Sequence, residues 1–213
     1  MENRVRAVLF DMDGVLIDAR EWHYEALNMA LAAFGLNISR YDHLMTFDGL
    51  PTSKKLQLMT SERGLPQRLH GLIGDIKQQH TQEIIYKHCR PQFAQQFAMV
   101  RLKAMGYRLA VCSNSIRSSV VLMLSLADLL RHVEFFLSSE DIAHPKPAPD
   151  IYEAAMARLG LQPKECLVVE DNHNGIEAAR AAGAHVLRVT SVDEVRLENI
   201  LAAINKIEVG QAE

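Results

Sequence analysis

The sequence predicts an α/β fold: a parallel sheet wound with helices on both faces, interrupted early by an all-helical insert. Three observations carry this. From about residue 89 onward, short apolar runs alternate with helical patterns. Between Ile17 and about His88 helical spacing recurs and no convincing strand occurs. Polar, chemistry-bearing residues stand where the apolar runs stop, as they do where the carboxyl ends of parallel strands line one edge.

Val8-Leu9-Phe10 is an apolar run that reads as a buried strand, and it ends in two carboxylates, Asp11 and Asp13, followed by Gly14. After Asp18 the pattern turns helical. Asp18 is placed to cap a helix over 19–34, with Glu21 three residues on as a capping-box partner and Gly35 as the stop. Further helices are expected over about 39–46, 52–63 and 66–87, with Pro51 and Pro66 near two of the starts. Pro91 opens a helix that stops at Gly106, and Arg108 to Cys112 reads as a strand ended by Ser113-Asn114-Ser115. A helix over about 116–126, a short strand from Glu134 to Leu137 and a helix from Pro149 to Leu159 follow. Cys166 to Glu170 is the next strand, with Asp171-Asn172 at its tip. A helix near 174–182, a last strand from His185 to Val189 and a closing helix complete the pattern, with a tail that frays after Ile207.

The bulk numbers exclude several classes. A chain of 213 residues suffices for one large domain, or a core with a smaller insert. A net charge of −3 gives no sign of a general nucleic-acid or membrane-surface binder. Cys89, Cys112 and Cys166 form no CxxC pair, so a thiolate metal site or a disulfide framework is not expected and a reducing compartment fits. The run before Asp11 is too short for a signal peptide, and no stretch reaches the roughly 18 apolar residues of a membrane span. The expectation is a cytoplasmic protein, monomeric by default.

The strand ends gather a specific set of groups. Residues at i and i+2 of a strand project to one side, so Asp11 and Asp13 can face one point. Two carboxylates that close repel unless a proton or a cation intervenes. Glu170 and Asp171 add two more, Ser113 and Asn114 add hydroxyl and amide groups, and Lys146 adds one cation between Pro145 and Pro147. Oxygen ligands without His or Cys suit a hard cation, Mg²⁺ being the natural choice. Lysine, a hydroxyl and a metal together suit a phosphoryl group. Of the two nearby carboxylates, one can act as nucleophile and the other as general acid, then base.

These residues resemble the four motifs of the haloacid dehalogenase superfamily: Asp11-Met-Asp13-Gly-Val-Leu, Ser113-Asn114, Lys146 in His-Pro-Lys-Pro-Ala-Pro-Asp-Ile-Tyr, and Glu170-Asp171-Asn172-x-x-Gly175. The insert resembles a subclass I cap, and the likeness is greatest to β-phosphoglucomutase-like phosphatases and mutases. The resemblance implies a Rossmann-like doubly wound core over 1–17 and 89–213 and a helical cap domain over 18–88. It implies Asp11 as nucleophile and Mg²⁺ ligand. Asp13 is implied as general acid/base that binds metal through its backbone carbonyl. Asp171 would complete the metal site, with Glu170 as a direct or water-mediated partner or, alternatively, a structural acceptor of backbone amides. Ser113, Asn114 and Lys146 would hold the phosphoryl group. In the cap, His23 is either a satisfied boundary histidine or a residue touching Asp13, and Lys77 either a solvated lysine or a substrate contact. Where the mutase carries a phosphate-gripping arginine this chain has Thr52, and Ala19 stands in place of a hydroxyl residue. Both departures favour a phosphatase acting on a small phosphorylated metabolite, a sugar phosphate, with a sugar phosphomutase as the alternative.

Overall fold

The computed structural model describes residues 4–210. The amino-terminal residues 1–3 and the last three residues of the tail lie outside the described residues. The chain divides into two compact units, one of residues 1–18 and 90–213 and the other of Ala19–Cys89.

The first unit is built on five parallel strands: β1 (Ala7–Phe10), β2 (Arg108–Cys112), β3 (Phe135–Leu137), β4 (Cys166–Glu170) and β5 (His185–Arg188). Their order across the sheet is β3-β2-β1-β4-β5, so β1 is central. Leu9 pairs with Ala110 on one side and Val168 on the other, and all four residues of β1 are buried. This explains why β1 reads as an unbroken apolar run and not as an alternating one. Between the strands lie α5 (Phe93–Ala104), α6 (Arg117–Leu126), α7 (Asp150–Leu159) and α8 (His173–Ala181), with α9 (Leu197–Glu208) last. Ala7, Leu9, Ala110, Cys112 and Val168 share one apolar core with Tyr152 and Ala155 of α7 and Ala178 of α8. By alternation Val8 and Phe10 take the opposite face of β1. Helix α5 packs on α9. The doubly wound parallel sheet expected from the sequence is present.

The second unit is helical among its described residues: α1 (Arg20–Ala32), α2 (Arg40–Asp42), α3 (Thr52–Arg63) and α4 (His70–His88). Its core gathers Leu27 and Leu31 of α1, Phe47, Leu56 and Met59 of and before α3, and Ile73 of α4. Three local expectations need correction. Helix α1 begins after Ala19, whose side chain has no oxygen, and no side chain caps it. Asp18 lies at the boundary of the two units, and Glu21, in place of a capping-box bond, pairs with Arg40. The single helix expected over 39–46 is one turn of α2, capped by Ser39 Oγ, running into a π-helical stretch His43–Phe47. Pro91 does not itself open α5, which begins at Phe93 with Gln92 extended before it.

Candidate active site

Strand β1 delivers Asp11 to the sheet's carboxyl edge, where its N–H donates to Val169 O of β4 at 3.0 Å. The chain then turns sharply at Gly14, whose φ of 90° lies in the region glycine tolerates cheaply. Gly14 N–H donates to Ile17 O, and Leu16 and Ile17 N–H both donate to Met12 O. This compact turn presents Asp13 beside Asp11. Asp13 Oδ2 accepts from the hydroxyl of Ser115 at 2.8 Å, a bond spanning 102 residues that holds this carboxylate in one orientation.

Lys146 is the centre of the charge arrangement. It is 3% exposed, and the bond from it to Pro147 is cis. Its ammonium donates to Asp11 Oδ1 at 2.7 Å, Cys112 O at 2.9 Å and Glu170 Oε1 at 2.5 Å. An ammonium has three protons, so all three are used. Lys146 therefore reaches a phosphoryl oxygen only by giving up one of these partners, and its standing contact is with Asp11. Asn114 holds the lysine's main chain: Lys146 N–H donates to Asn114 Oδ1 at 3.1 Å, and Asn114 Nδ2 donates to Lys146 O at 3.4 Å. Buried Ser113 accepts the N–H of Ser115 on its Oγ, closing the turn after β2.

Glu170, at the end of β4, is almost fully buried and accepts four hydrogen bonds. Oε1 takes those of Lys146 and the Tyr152 hydroxyl, the latter at 2.7 Å, and Oε2 takes the N–H groups of Asp171 and Asn172. This matches the structural-acceptor alternative. Gly175, in the first turn of α8, makes room for it. A Cβ there would lie 1.8 Å from Glu170 Oε1. Gly175→Ala should push this carboxylate out of place, lowering kcat about tenfold or more and stability by roughly 1–3 kcal/mol, the usual cost of overpacking. Steady-state kinetics with thermal unfolding of the same preparation checks both.

Asp11, Glu170 and Asp171 each bring one carboxylate oxygen within 4.8 Å of the others. This all-oxygen donor set fits a hard divalent cation. The electrostatics point the same way. Burial first, and then the neighbouring Glu170, Asp171 and Asp13, push Asp11 well above the ordinary carboxylate range, with Lys146 opposing. A bound cation would reverse that logic. Burial alone would depress the Lys146 ammonium, but Asp11 and Glu170 outweigh it and raise it, so it stays charged. Burial pushes the Cys112 thiol up to about 12, which removes it as a nucleophile.

His23 of α1 and Lys77 of α4 meet within the second unit, His23 Nδ1 lying 3.2 Å from Lys77 Nζ. An ammonium has no acceptor, so Nδ1 accepts. Sequence reasoning missed the partnership of Ser115 with Asp13 and that of Tyr152 with Glu170. Both residues stand inside the motifs, in Ser-Asn-Ser and Asp-Ile-Tyr, yet nothing in their spacing tells where the hydroxyls point.

Residues 8–189 match the family of haloacid dehalogenase-like hydrolases. A haloacid dehalogenase-like hydrolase domain-containing protein of Arabidopsis thaliana is 31% identical over 84% of this chain, which spans 66% of that relative's length. A Thermotoga maritima protein named phosphorylated carbohydrates phosphatase is 26% identical over 84% of this chain and 82% of its own. Among solved structures, a β-phosphoglucomutase from Clostridium difficile superposes with a TM-score of 0.82 over 96% of this chain and 99% of that one. Their identity is 18%, so the likeness is one of fold. With the match running from within β1 to just past the end of β5, the chain belongs to the haloacid dehalogenase-like hydrolase family.

Proposed function

We propose that the protein is a Mg²⁺-dependent phosphatase that hydrolyses a small phosphorylated metabolite, a sugar phosphate, through an aspartyl-phosphate on Asp11. The observation that carries this reading is the 2.7 Å contact between Lys146 Nζ and Asp11 Oδ1, with Glu170 and Asp171 within 4.8 Å. One oxygen of Asp11 is engaged, the carboxylate is held rigidly, and its surroundings favour a cation.

Asp11 and Asp171, with the main-chain carbonyl of Asp13, would hold the metal. Glu170, whose two oxygens already accept four protein donors, supports them from behind. When bound, Mg²⁺ neutralises charge on the phosphoryl oxygens and screens them from the nucleophile. A carboxylate oxygen of Asp11 attacks phosphorus as the bond from phosphorus to the substrate oxygen breaks. Asp13, protonated, gives its proton to that leaving oxygen. Asp13 then takes a proton from water as the water oxygen attacks phosphorus and the Asp11–phosphorus bond breaks. Inorganic phosphate leaves, and Asp13 is again protonated. Ser115 keeps Asp13 aimed through both steps, while Asn114 and Ser113 fix the loops that carry Lys146 and Ser115.

Residues Ala19–Cys89 are read as the cap that chooses the substrate, with His23 and Lys77 as its specificity pair. Thr52, the first residue of α3, offers no bidentate grip for a second phosphate, which favours hydrolysis over mutase chemistry. The name of the Thermotoga maritima relative supports the sugar-phosphate class. The test is a screen of phosphorylated metabolites followed by phosphorus NMR. Inorganic phosphate should appear in the presence of Mg²⁺ and stop on adding a chelator. Conversion of a sugar 1-phosphate to its 6-phosphate faster than phosphate release would contradict the hydrolase reading.

A further inference from the structure

Tyr152 touches this site without a part in the chemistry above. It lies in the first turn of α7 and is completely buried. Its hydroxyl donates to Glu170 Oε1 at 2.7 Å, and its ring centroid lies 4.8 Å from Lys146 Nζ. One side chain thus meets both members of the ion pair behind Asp11, the carboxylate through its O–H and the ammonium through its face. The ring is part of the apolar core and phenylalanine would fill nearly the same space. The hydroxyl serves Glu170, as a buried tyrosine's polar end normally serves a partner.

The arrangement bears on Asp11 through Lys146. Two carboxylates share one ammonium, 2.7 Å from Asp11 and 2.5 Å from Glu170. Whatever turns or shifts Glu170 therefore moves the ammonium relative to Asp11. On Oε2 two backbone amides fix Glu170, and Gly175 leaves no slack on the α8 side. On Oε1 the donor besides Lys146 itself, among the described residues, is the Tyr152 hydroxyl. The negative face of the ring favours the ammonium where it stands.

We propose that Tyr152 is a positioning residue for phosphoryl transfer: its hydroxyl and ring hold Glu170 and Lys146 so that the ammonium stays on Asp11. The inference rests on the phosphatase reading for its kinetic consequence, but the placement itself can be tested without it. Tyr152→Phe keeps the ring and removes the donor, whereas Tyr152→Leu removes both. With 4-nitrophenyl phosphate and saturating Mg²⁺, Tyr152→Phe should lower kcat about tenfold, the order seen when a supporting residue is lost, with KM within about twofold of wild type. Tyr152→Leu should lower kcat further. NMR of lysine side-chain nitrogens supplies the second measurement. The Lys146 ammonium, identified as the signal that Lys146→Arg removes, should exchange slowly in wild type and shift and exchange faster in Tyr152→Phe. Thermal unfolding of Tyr152→Phe should stay close to wild type. A wild-type kcat overturns the inference, and so does a loss of kcat with an unchanged ammonium signal. Should wild type release no phosphate at all, the phosphatase reading fails, and the ammonium signal alone still decides whether Tyr152 positions Lys146.

Discussion

Lys146→Met should be the most destabilising single change at the site, by about 3–5 kcal/mol, the cost of removing one partner from a buried ion pair. In a chain of this size that corresponds to a fall in Tm of roughly 6–20 °C. Methionine fills the space, so the loss is one of charge and not of volume. It strands Asp11 and Glu170, 8% and 1% exposed, without their shared cation and leaves Cys112 O without its donor. The pH dependence has a definite sign. Asp11 already sits above its ordinary value of 3.8, and without Lys146, which opposes that shift, it rises further. A carboxylate raised on folding binds protons more tightly in the native state, so its stability contribution is full below the unfolded value and is lost as pH rises through the folded one. The deficit of Lys146→Met relative to wild type should therefore be smallest near pH 4 and widen towards neutral pH. Thermal melts across that range check it. A deficit independent of pH would mean that packing, not charge, is what Lys146 contributes.

Asp11→Asn should abolish catalysis while leaving the fold in place. Removing the group that forms the covalent bond typically costs a hydrolase about 10⁴-fold or more in kcat. The amide is nearly isosteric, and Lys146 keeps Glu170 and Cys112 O as partners. Burial, with three neighbouring carboxylates, outweighs the opposing Lys146 ammonium and disfavours charge at position 11 in the absence of a metal ion. Neutralising it should therefore leave the metal-free Tm unchanged or raise it, a trade of stability against function common at active sites. Melting and kinetics on one preparation separate the two effects. A Tm several degrees below wild type would show that Asp11 is chiefly a structural partner of Lys146.

The parts legible in the sequence are those that depend on local pattern. Val8-Leu9-Phe10 stops at Asp11 because β1 is buried on both faces and emerges only at its end, and the same logic located β2 before Ser113 and β4 before Asp171. The order of these stops along the chain was enough to bring Asp11, Lys146, Glu170 and Asp171 together. The start of helix α1 is not legible in the sequence because capping is a matter of a single side chain's direction. Asp18 has the right chemistry, yet the helix begins one residue later, after an alanine. The long-range partnerships were not legible for a related reason. Ser115 meets Asp13 across 102 residues and Tyr152 meets Glu170 across the gap between α7 and β4. Each is fixed by where the sheet and helices set two hydroxyls, and hydroxyl residues are common in such loops for many reasons. Gly175 stands between these cases: its place in the motif was visible, but its reason, the absent Cβ beside Glu170, appears only in three dimensions.

In the proposed reaction Asp11 carries the phosphoryl group. Mixing stoichiometric enzyme, Mg²⁺ and substrate, quenching in acid within the first turnover and mapping peptides by mass spectrometry tests it directly. A transient phosphoryl adduct should appear on the peptide containing Asp11 and be absent from Asp11→Asn. Rapid phosphate release with no adduct on that peptide at any time, or an adduct on another residue, would contradict it.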